Sequence, residues 1–589
     1  MSILAELAAA YDRLASEGRA PPHGYSKETI HYAIGLNIDG SVATVSALGD
    51  GKTGRELFVP QAVKRSSGIA ANFLWDKTSY VLGVTTLQKA SENDADYAKR
   101  TRRLPETHAA FVQRQLEALS GTEDEGLLAL LRFIENWCPE DFSSPVWPDE
   151  MRDRNVVFTL ESDRRANRYL HDRPAAQAVW RSLSAAGGEG PSCLVTGAHG
   201  PVARLHPSIS GVWGAQSSGA SLVSFNLAAF ESYGAKQGDN AQVSEAATFA
   251  YATALNTLLA KGSNNRVQIG DASTVFWADV SGAPATLVEG LFEAMMQGPD
   301  QKAQDRRIGD LLELLRLGRA DAVRAELSDG VRLHVLGLAP NAARLSVRFW
   351  LSDDFGRIAE NYARYAQDMA IDPPPNPPLP GFWSLLRVLA AQGKPENVPP
   401  NLAGEWLRAV LTGGRYPQTL LVTAVMRARV EKDVGARRAS IIKAVLRRNH
   451  QWEAPVSLDP DNPSQAYQLG RLFAVLEQAQ RAALGRVNAT IADRYYAAAS
   501  STPARVFGPL LRGLRNHVSD AEKRGQGGWI APKVGQIMLK LAPDLPTSLT
   551  LEDQARFAIG YYHEKATRHG KPAEVVDDAQ DGQEENSDD

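Results

Sequence analysis

Cysteine is nearly missing from these 589 residues: only Cys138 and Cys193 occur. Two are too few for a disulfide framework or a cysteine-built zinc site, and this usage suits a reducing cytoplasm. Long apolar runs are missing as well, so no segment can cross a membrane as a helix. The opening MSILAELAAAYDRLASEG places Glu6 and Asp12 inside its apolar pattern and stops at Gly18, which predicts an amphipathic helix and not a signal peptide. Catalytic signatures fail on inspection. Gly51-Lys52-Thr53 invites a phosphate-loop reading, but the required first glycine falls on Ser46 and a strand-like GRELFVP follows, so a hairpin loop is expected. Around Ser217 a nucleophile elbow would need glycine where Ala215 stands, and His206 has no identifiable acid to orient it. His171-Asp172 is an HD pair with no second ligand cluster at metal spacing. The expectation is therefore no catalytic residue, no metal and no cofactor.

What is present points to binding. The chain exceeds the size at which one core keeps growing, so at least two domains are expected. Its net charge of -4 hides an asymmetry: beyond Lys571 lie eight acidic residues and no basic ones, which leaves the rest with 64 basic against 60 acidic. Residues 571–589 thus predict a solvated, disordered acidic tail.

In chain order, HYAIGLNI, SVATVSAL and GRELFVP are strand-like runs separated by Asp39-Gly40 and Gly49-Asp50-Gly51, which predicts a β-meander. In the following block Lys64, Arg65, Ser66 and Ser67 suit phosphates, and Asn72 has the paired donor and acceptor of a base reader. Residues 98 to 181 are helical in pattern and basic, with Lys99, Arg100, Arg102 and Arg103 clustered before a proline. Residues 206 to 240 are rich in glycine, hydroxyls and amides; SLVSF reads as a strand and Asn226 to Tyr233 as the start of a helix, followed by Lys236, Gln237 and Asn240. Gln216, Ser217 and Ser218 offer donors and acceptors beside glycines that admit a close partner.

The proline-rich IDPPPNPPLP at 371–380 excludes helix and predicts a semi-rigid linker between an N-terminal region, 1–370, and a helical bundle, 381–570. The fold class expected is α+β, with antiparallel strands and helices first and the bundle after. In the bundle, ARRASIIKAVLRRNH separates Ile441, Ile442, Val445 and Leu446 from an opposite arc of Arg437, Lys443, Arg447 and Arg448, with Arg438 on the apolar side. That arc suits a nucleic-acid backbone or, equally on charge alone, solvent. Leu469, Leu472, Phe473, Leu476 and Gln480 form a packing stripe on a long helix.

The run GAQSSGASLVSFNLAAFESYGAKQGDN resembles the signature of the large subunit of type I-C CRISPR interference complexes (Cascade). Four more blocks resemble that family in its order: RSSGIAANFLWDKTSYVLG at 65–83, CLVTGAHGPVARLHP at 193–207, LGLAPNAARLSVRFW at 336–350 and AYQLGRLFAVLE at 466–477. The resemblance covers most of the chain up to about residue 515. It implies a non-catalytic DNA-binding subunit that recognises the protospacer-adjacent motif (PAM), aids duplex opening and stabilises the displaced strand, while base pairing with the guide supplies most specificity. The implied PAM-side residues are Lys64, Arg65, Ser66, Ser67, Asn72, Lys77, Gln216, Ser217, Ser218, Lys236, Gln237 and Asn240. The implied backbone contacts are Lys99, Arg100, Arg102, Arg103, Arg437, Lys443, Arg447 and Arg448. Implied partners are the guide RNA, target double-stranded DNA, the repeated backbone subunit, the 5′-end subunit, the helicase-nuclease, and a small subunit translated from the same gene. That last product would start at Met426 or at a non-AUG codon such as that of Val456. A metal-dependent nuclease with a dispersed site around His171 and Asp172, and a purely structural scaffold, stay open as other readings.

Overall fold

The computed structural model describes residues 2–50, 52–63, 68–88, 92–143, 145–185, 190–297, 306–327, 330–394 and 397–567. Lys64 to Ser67 and the tail from 571 lie outside them, as does the side chain of Arg100. The chain is α+β and divides into two compact units, residues 1–210 with 218–257, and residues 211–217 with 258–589.

In the first unit, β2 (Tyr32–Leu36) pairs antiparallel with β3 (Val42–Ala47) and parallel with β6 (Asn155–Leu160), which pairs antiparallel with β5 (Trp75–Lys77). The Asp39-Gly40 turn forms as expected: Gly40 takes a φ of 87°, and a Cβ there would lie 2.6 Å from the Cβ of Arg132. The expected meander is corrected by β4 (Arg55–Pro60), which leaves the sheet and pairs with β1 (Tyr25–Ile30) as a separate ribbon. This arrangement covers the sheet twice. Ile34 and Phe158 pack in one cluster with Phe111, Leu130 and Phe133 of the Leu104–Ala118 and Glu125–Asn136 helices. Ala33 and Val157, their neighbours along the strands, pack in another with Ile30 and Val59 of the ribbon. Strands buried on both faces lose the polar alternation that a meander would show. Lys52 and Thr53 lie in a bend held by the Asp50 carboxylate, which accepts their N–H groups at 2.9 and 2.7 Å; β4 follows but pairs with β1 and not with β3, so the expected hairpin is corrected, and Gly51 lies outside the described residues.

The second unit opens with an antiparallel sheet in the order β10 (Arg344–Asp354), β9 (Arg332–Asn341), β8 (Ala272–Ala278), β7 (Arg266–Ile269). Phe276, Leu333 and Val335 pack in one cluster with Phe292 of the Ala283–Gln297 helix and Ile358 and Tyr362 of the Phe355–Met369 helix. That cluster continues without a break into the C-terminal bundle. Beyond Asp354 the described residues contain helices and no strand.

The division into compact units therefore does not fall at 371–380, where the sequence predicts the boundary. Ile371 and Leu379 are buried in the second unit, the Asp372 N–H donates to the Val456 carbonyl at 2.8 Å, and Arg437 donates to the Asn376 carbonyl at 3.2 Å. Proline prevents helix here, but it also leaves carbonyls unpaired along the strap, and the bundle uses those of Pro373 and Asn376.

Gln465–Leu484 is the axis of that bundle and is buried on nearly all sides from Ala466 to Glu477. It meets the Leu551–Ala566 helix at two glycines: a Cβ on Gly470 would lie 2.0 Å from the Phe557 carbonyl oxygen, and one on Gly560 would lie 2.1 Å from that of Tyr467. Beside this crossing Phe473 packs against Tyr496, Phe507, Phe557 and Tyr561, with ring centroids 5.8 to 6.3 Å apart. Gly470→Ala is expected to lower the unfolding free energy of the chain by about 1–3 kcal/mol, the usual cost of overpacking. Gly508→Ala, on a helix with no neighbouring atom within 4 Å, should instead be neutral or stabilising by up to about 1 kcal/mol, as helix propensity dictates. Chemical unfolding of both variants in parallel checks the contrast.

Candidate nucleic-acid interface

Between Arg494 and Ser519 the sequence has four arginines, Arg494, Arg505, Arg512 and Arg515, and no acidic residue. The Pro503–Lys523 helix begins with proline in its first turn, where the missing N–H costs nothing. Val506, Phe507, Leu514 and Ala521 are buried against the bundle. Arg505 and Arg512, two turns apart, share the outer face, and Arg515 flanks them one turn on. The Ile491–Ala499 helix is started by a reciprocal cap, in which the Thr490 hydroxyl accepts the Asp493 N–H at 3.2 Å and Asp493 accepts the Thr490 N–H at 2.7 Å. It presents Arg494 and Tyr495 beside that face.

All four arginines are exposed and none has a carboxylate partner among the described residues. Of the nearby basic groups, Arg481 pairs with Glu477 at 2.7 Å and Lys523 with Asp520 at 3.0 Å, while Arg486 and Arg524 are exposed with no carboxylate partner among the described residues. An open recess of about 170 Å³ lies between the two helices, lined by Arg494, Tyr495, Gly513 and His517 over Leu476 and Leu510. Pockets that enclose a small-molecule substrate start at about 300 Å³. This one is smaller and open, with a flat ring at its rim: Tyr495 is 41% exposed. Gly508 and Gly513 have no atom within 4 Å of where a Cβ would stand, so a partner's backbone can come close. A guanidinium array with an exposed ring suits a flexible polyanion that carries bases.

The expected basic arc on the Ala436–His450 helix is corrected by its neighbour. Lys443 is 0% exposed and donates to the Asp368 carbonyl at 3.1 Å. Arg448 meets the Asp368 carboxylate at 2.6 Å and lies over the Tyr416 ring at 4.2 Å, and Arg447 donates to the Gln367 carbonyl at 3.0 Å. Arg437 is held by the proline-rich strap. The arc faces the end of the Phe355–Met369 helix, where unpaired carbonyls and the negative end of the dipole attract cations. Arg438, on the apolar side, is buried and donates to the carbonyls of Asp433 and Val388 at 2.8 and 3.2 Å.

Asn72 is corrected too. It is 3% exposed. Its Oδ1 accepts the Val63 N–H at 3.0 Å, its own N–H donates to Asp76 at 2.8 Å, and its carbonyl accepts from Gln115 at 2.9 Å. It fastens a loop and presents no base-reading edge. Lys77, Lys99, Arg102 and Arg103 are exposed, the last 3.9 Å from Glu106.

The 206–240 stretch forms neither the expected strand at SLVSF nor the expected helix from Asn226; one short 3-10 turn, Ala228–Phe230, stands in its place. Tyr233, Gly234 and Gln237 take positive φ, which ends helical winding. Asn240 then ties the loop, accepting the Ser232 N–H at 2.9 Å and donating to the carbonyls of Ala235 and Gln237 at 3.1 and 3.0 Å. Gln237 accepts from Arg204 at 2.5 Å. Gln216, Ser217, Ser218 and Lys236 are exposed. His206 shares a 2.5 Å hydrogen bond with the Tyr251 hydroxyl. His171 is buried, stacked 5.5 Å from Tyr169, and burial lowers its pKa. Among the described residues no three histidine, cysteine or carboxylate side chains gather as a metal site.

A family model described as CRISPR-associated protein (Cas_Csd1) matches residues 7–569. The match places the chain among the CRISPR-associated proteins, as a subunit of their effector machinery. Within them it belongs to the Cas_Csd1 family. No curated protein matches it. No described helix is long and apolar enough to cross a membrane.

Two outcomes follow from the corrected residues. Asn72→Ala should cost about 1–3 kcal/mol of stability, because it strands the half-buried Val63 N–H; thermal unfolding reads it. Burial pushes the Lys443 ammonium down to about 8, with Arg447 adding to the shift and Asp368 opposing it. The unfolded side chain titrates near 10.4, so in that window the unfolded chain holds more protons and stability rises with pH. Below pH 8 the burial cost is carried in full. The unfolding free energy of the parent minus that of Lys443→Met should therefore climb between pH 8 and 10; a flat difference contradicts the burial.

Proposed function

We propose that this chain is the non-catalytic large subunit of a type I-C CRISPR interference complex, and that its C-terminal bundle holds single-stranded nucleic acid on the face of Arg494, Arg505, Arg512 and Arg515. The observation that carries this reading is the set of four exposed arginines, without carboxylate partners among the described residues, beside the exposed Tyr495 ring. Membership of the Cas_Csd1 family supports it, as does the order of the sequence blocks. In this reading the chain works in the cytoplasm with a guide RNA, the backbone and 5′-end subunits, and a helicase-nuclease that cuts the target.

PAM recognition and duplex opening belong to the same proposal, with revised residues. Asn72 and Asn240 are committed to loop structure, so within the first unit the exposed Lys77, Ser218 and Lys236 are the better readers. A separately translated small subunit fits a start near Val456, which is exposed between the Ala436–His450 and Gln465–Leu484 helices. A start at Met426 would instead cut the Gln418–Glu431 helix.

Fluorescence anisotropy of the full chain on a labelled single strand, across a salt series, tests the surface. Each phosphate contact on a single strand contributes a slope of about 0.7, so Arg505→Ala with Arg512→Ala and Arg515→Ala should lower the slope of log affinity against log salt by about 2. Tyr495→Ala should cost about 1–3 kcal/mol through lost stacking with the slope preserved. An unchanged slope in the triple variant sinks the proposal.

A further inference from the structure

We infer that the acidic tail, residues 572–589, docks on the same arginine face and competes there with nucleic acid. The inference rests on the proposed reading of that face and goes beyond it, because it assigns the face a second occupant from the chain itself.

Charge argues first. The tail holds eight carboxylates and no basic residue, and the face holds four arginines in a stretch without an acid. The exposed basic cluster of the first unit is less suited: Lys99, Arg102 and Arg103 stand among Asp94, Asp96 and Glu106. Reach argues next. Thr567 ends the Leu551–Ala566 helix, which packs along Gln465–Leu484, itself packed against the Pro503–Lys523 helix. The 22 residues that follow can span up to about 70 Å at about 3.3 Å each. The arginine helix is about 30 Å long at about 1.5 Å per residue. Every arginine is therefore within the tail's range. A tethered occupant acts at an effective concentration on the order of millimolar, so weak contacts suffice.

The consequence is selectivity. A tail of carboxylates screens the arginines from stray polyanions. A strand that the assembled complex delivers at high local concentration displaces it. Salt weakens both occupants, since both are held by exposed charge.

The test uses the full-length chain with all eight tail acids changed to Asn or Gln, which removes the charge and keeps the length. This variant should bind a labelled single strand about threefold to tenfold more tightly than the parent at low salt, as expected for loss of a tethered competitor. The difference should vanish when Arg505→Ala, Arg512→Ala and Arg515→Ala are added. A fluorescent peptide of residues 572–589 should bind the tail-neutral chain, and not its triple-arginine form. If the arginine changes weaken the strand while neutralising the tail changes nothing and the peptide does not bind, the docking is overturned and the nucleic-acid reading stands. If the peptide binding needs the arginines but the strand does not, the docking stands and the nucleic-acid reading falls. If the tail-neutral chain binds more tightly whether or not the arginines are present, the effect is net charge alone and the docking is overturned.

Discussion

The bundle depends on one crossing, where Gly470 and Gly560 let two helix backbones touch. Side chains would hold these helices several ångströms further apart. The approach brings Arg471 to Glu564 at 2.8 Å with both side chains almost fully buried, and Lys533 reaches the same carboxylate at 3.0 Å. A buried pair of this kind contributes less than its Coulomb energy, but removing one partner costs about 3–5 kcal/mol, so it sets which neighbours are allowed. Around the crossing, Glu477 accepts the Tyr561 hydroxyl at 2.6 Å and the Phe473 cluster fills the remaining volume. With Phe507 drawn into that cluster, the Pro503–Lys523 helix has its apolar side consumed, and its arginines have only the outside to occupy.

Charge behaves in two ways in this unit, and the difference is geometric. On the Ala436–His450 helix every basic group of the arc finds a carbonyl or a carboxylate, because a helix ends opposite Lys443, Arg447 and Arg448 and the proline-rich strap meets Arg437. On the Pro503–Lys523 helix Arg505, Arg512 and Arg515 find none among the described residues: no acid lies between Arg494 and Ser519, and no described element brings one across to them. A helical wheel shows both patterns as one basic face. It cannot show what stands across from that face, and for Lys443 this decides between ligand and structural cap.

The readable parts of the sequence were those governed by local chemistry. The α+β division, the Asp39-Gly40 turn, the failed phosphate loop at Asp50 to Thr53 and the helical C-terminal half all follow from residues close in sequence. The unreadable parts are set by distant partners. β4 leaves the expected meander because the sheet has a second apolar face that only the ribbon can cover. The strap at 371–380 is bound by Val456 and Arg437, which lie far along the chain. Asn72 has the right groups for a base edge, but Val63, Asp76 and Gln115 engage it first. The arginine face was within reach of the sequence: counting acids across residues 494 to 519, in place of looking for dense lysine and arginine runs, marks it.

A free arginine face also carries a cost that explains the shape of the rest. Four guanidinium groups without a carboxylate partner among the described residues repel one another and attract any polyanion, so among those residues they add no stability. The same helix contains Gly508, Pro509 and Gly513, each a poor helix residue, and two of them open onto empty space. Stability alone would favour alanine and a few glutamates at these positions. Their absence, on a helix anchored in the bundle by Phe507 and Leu514, leaves a rigid back, a low outline and exposed charge, and it is on these that the proposed binding role rests.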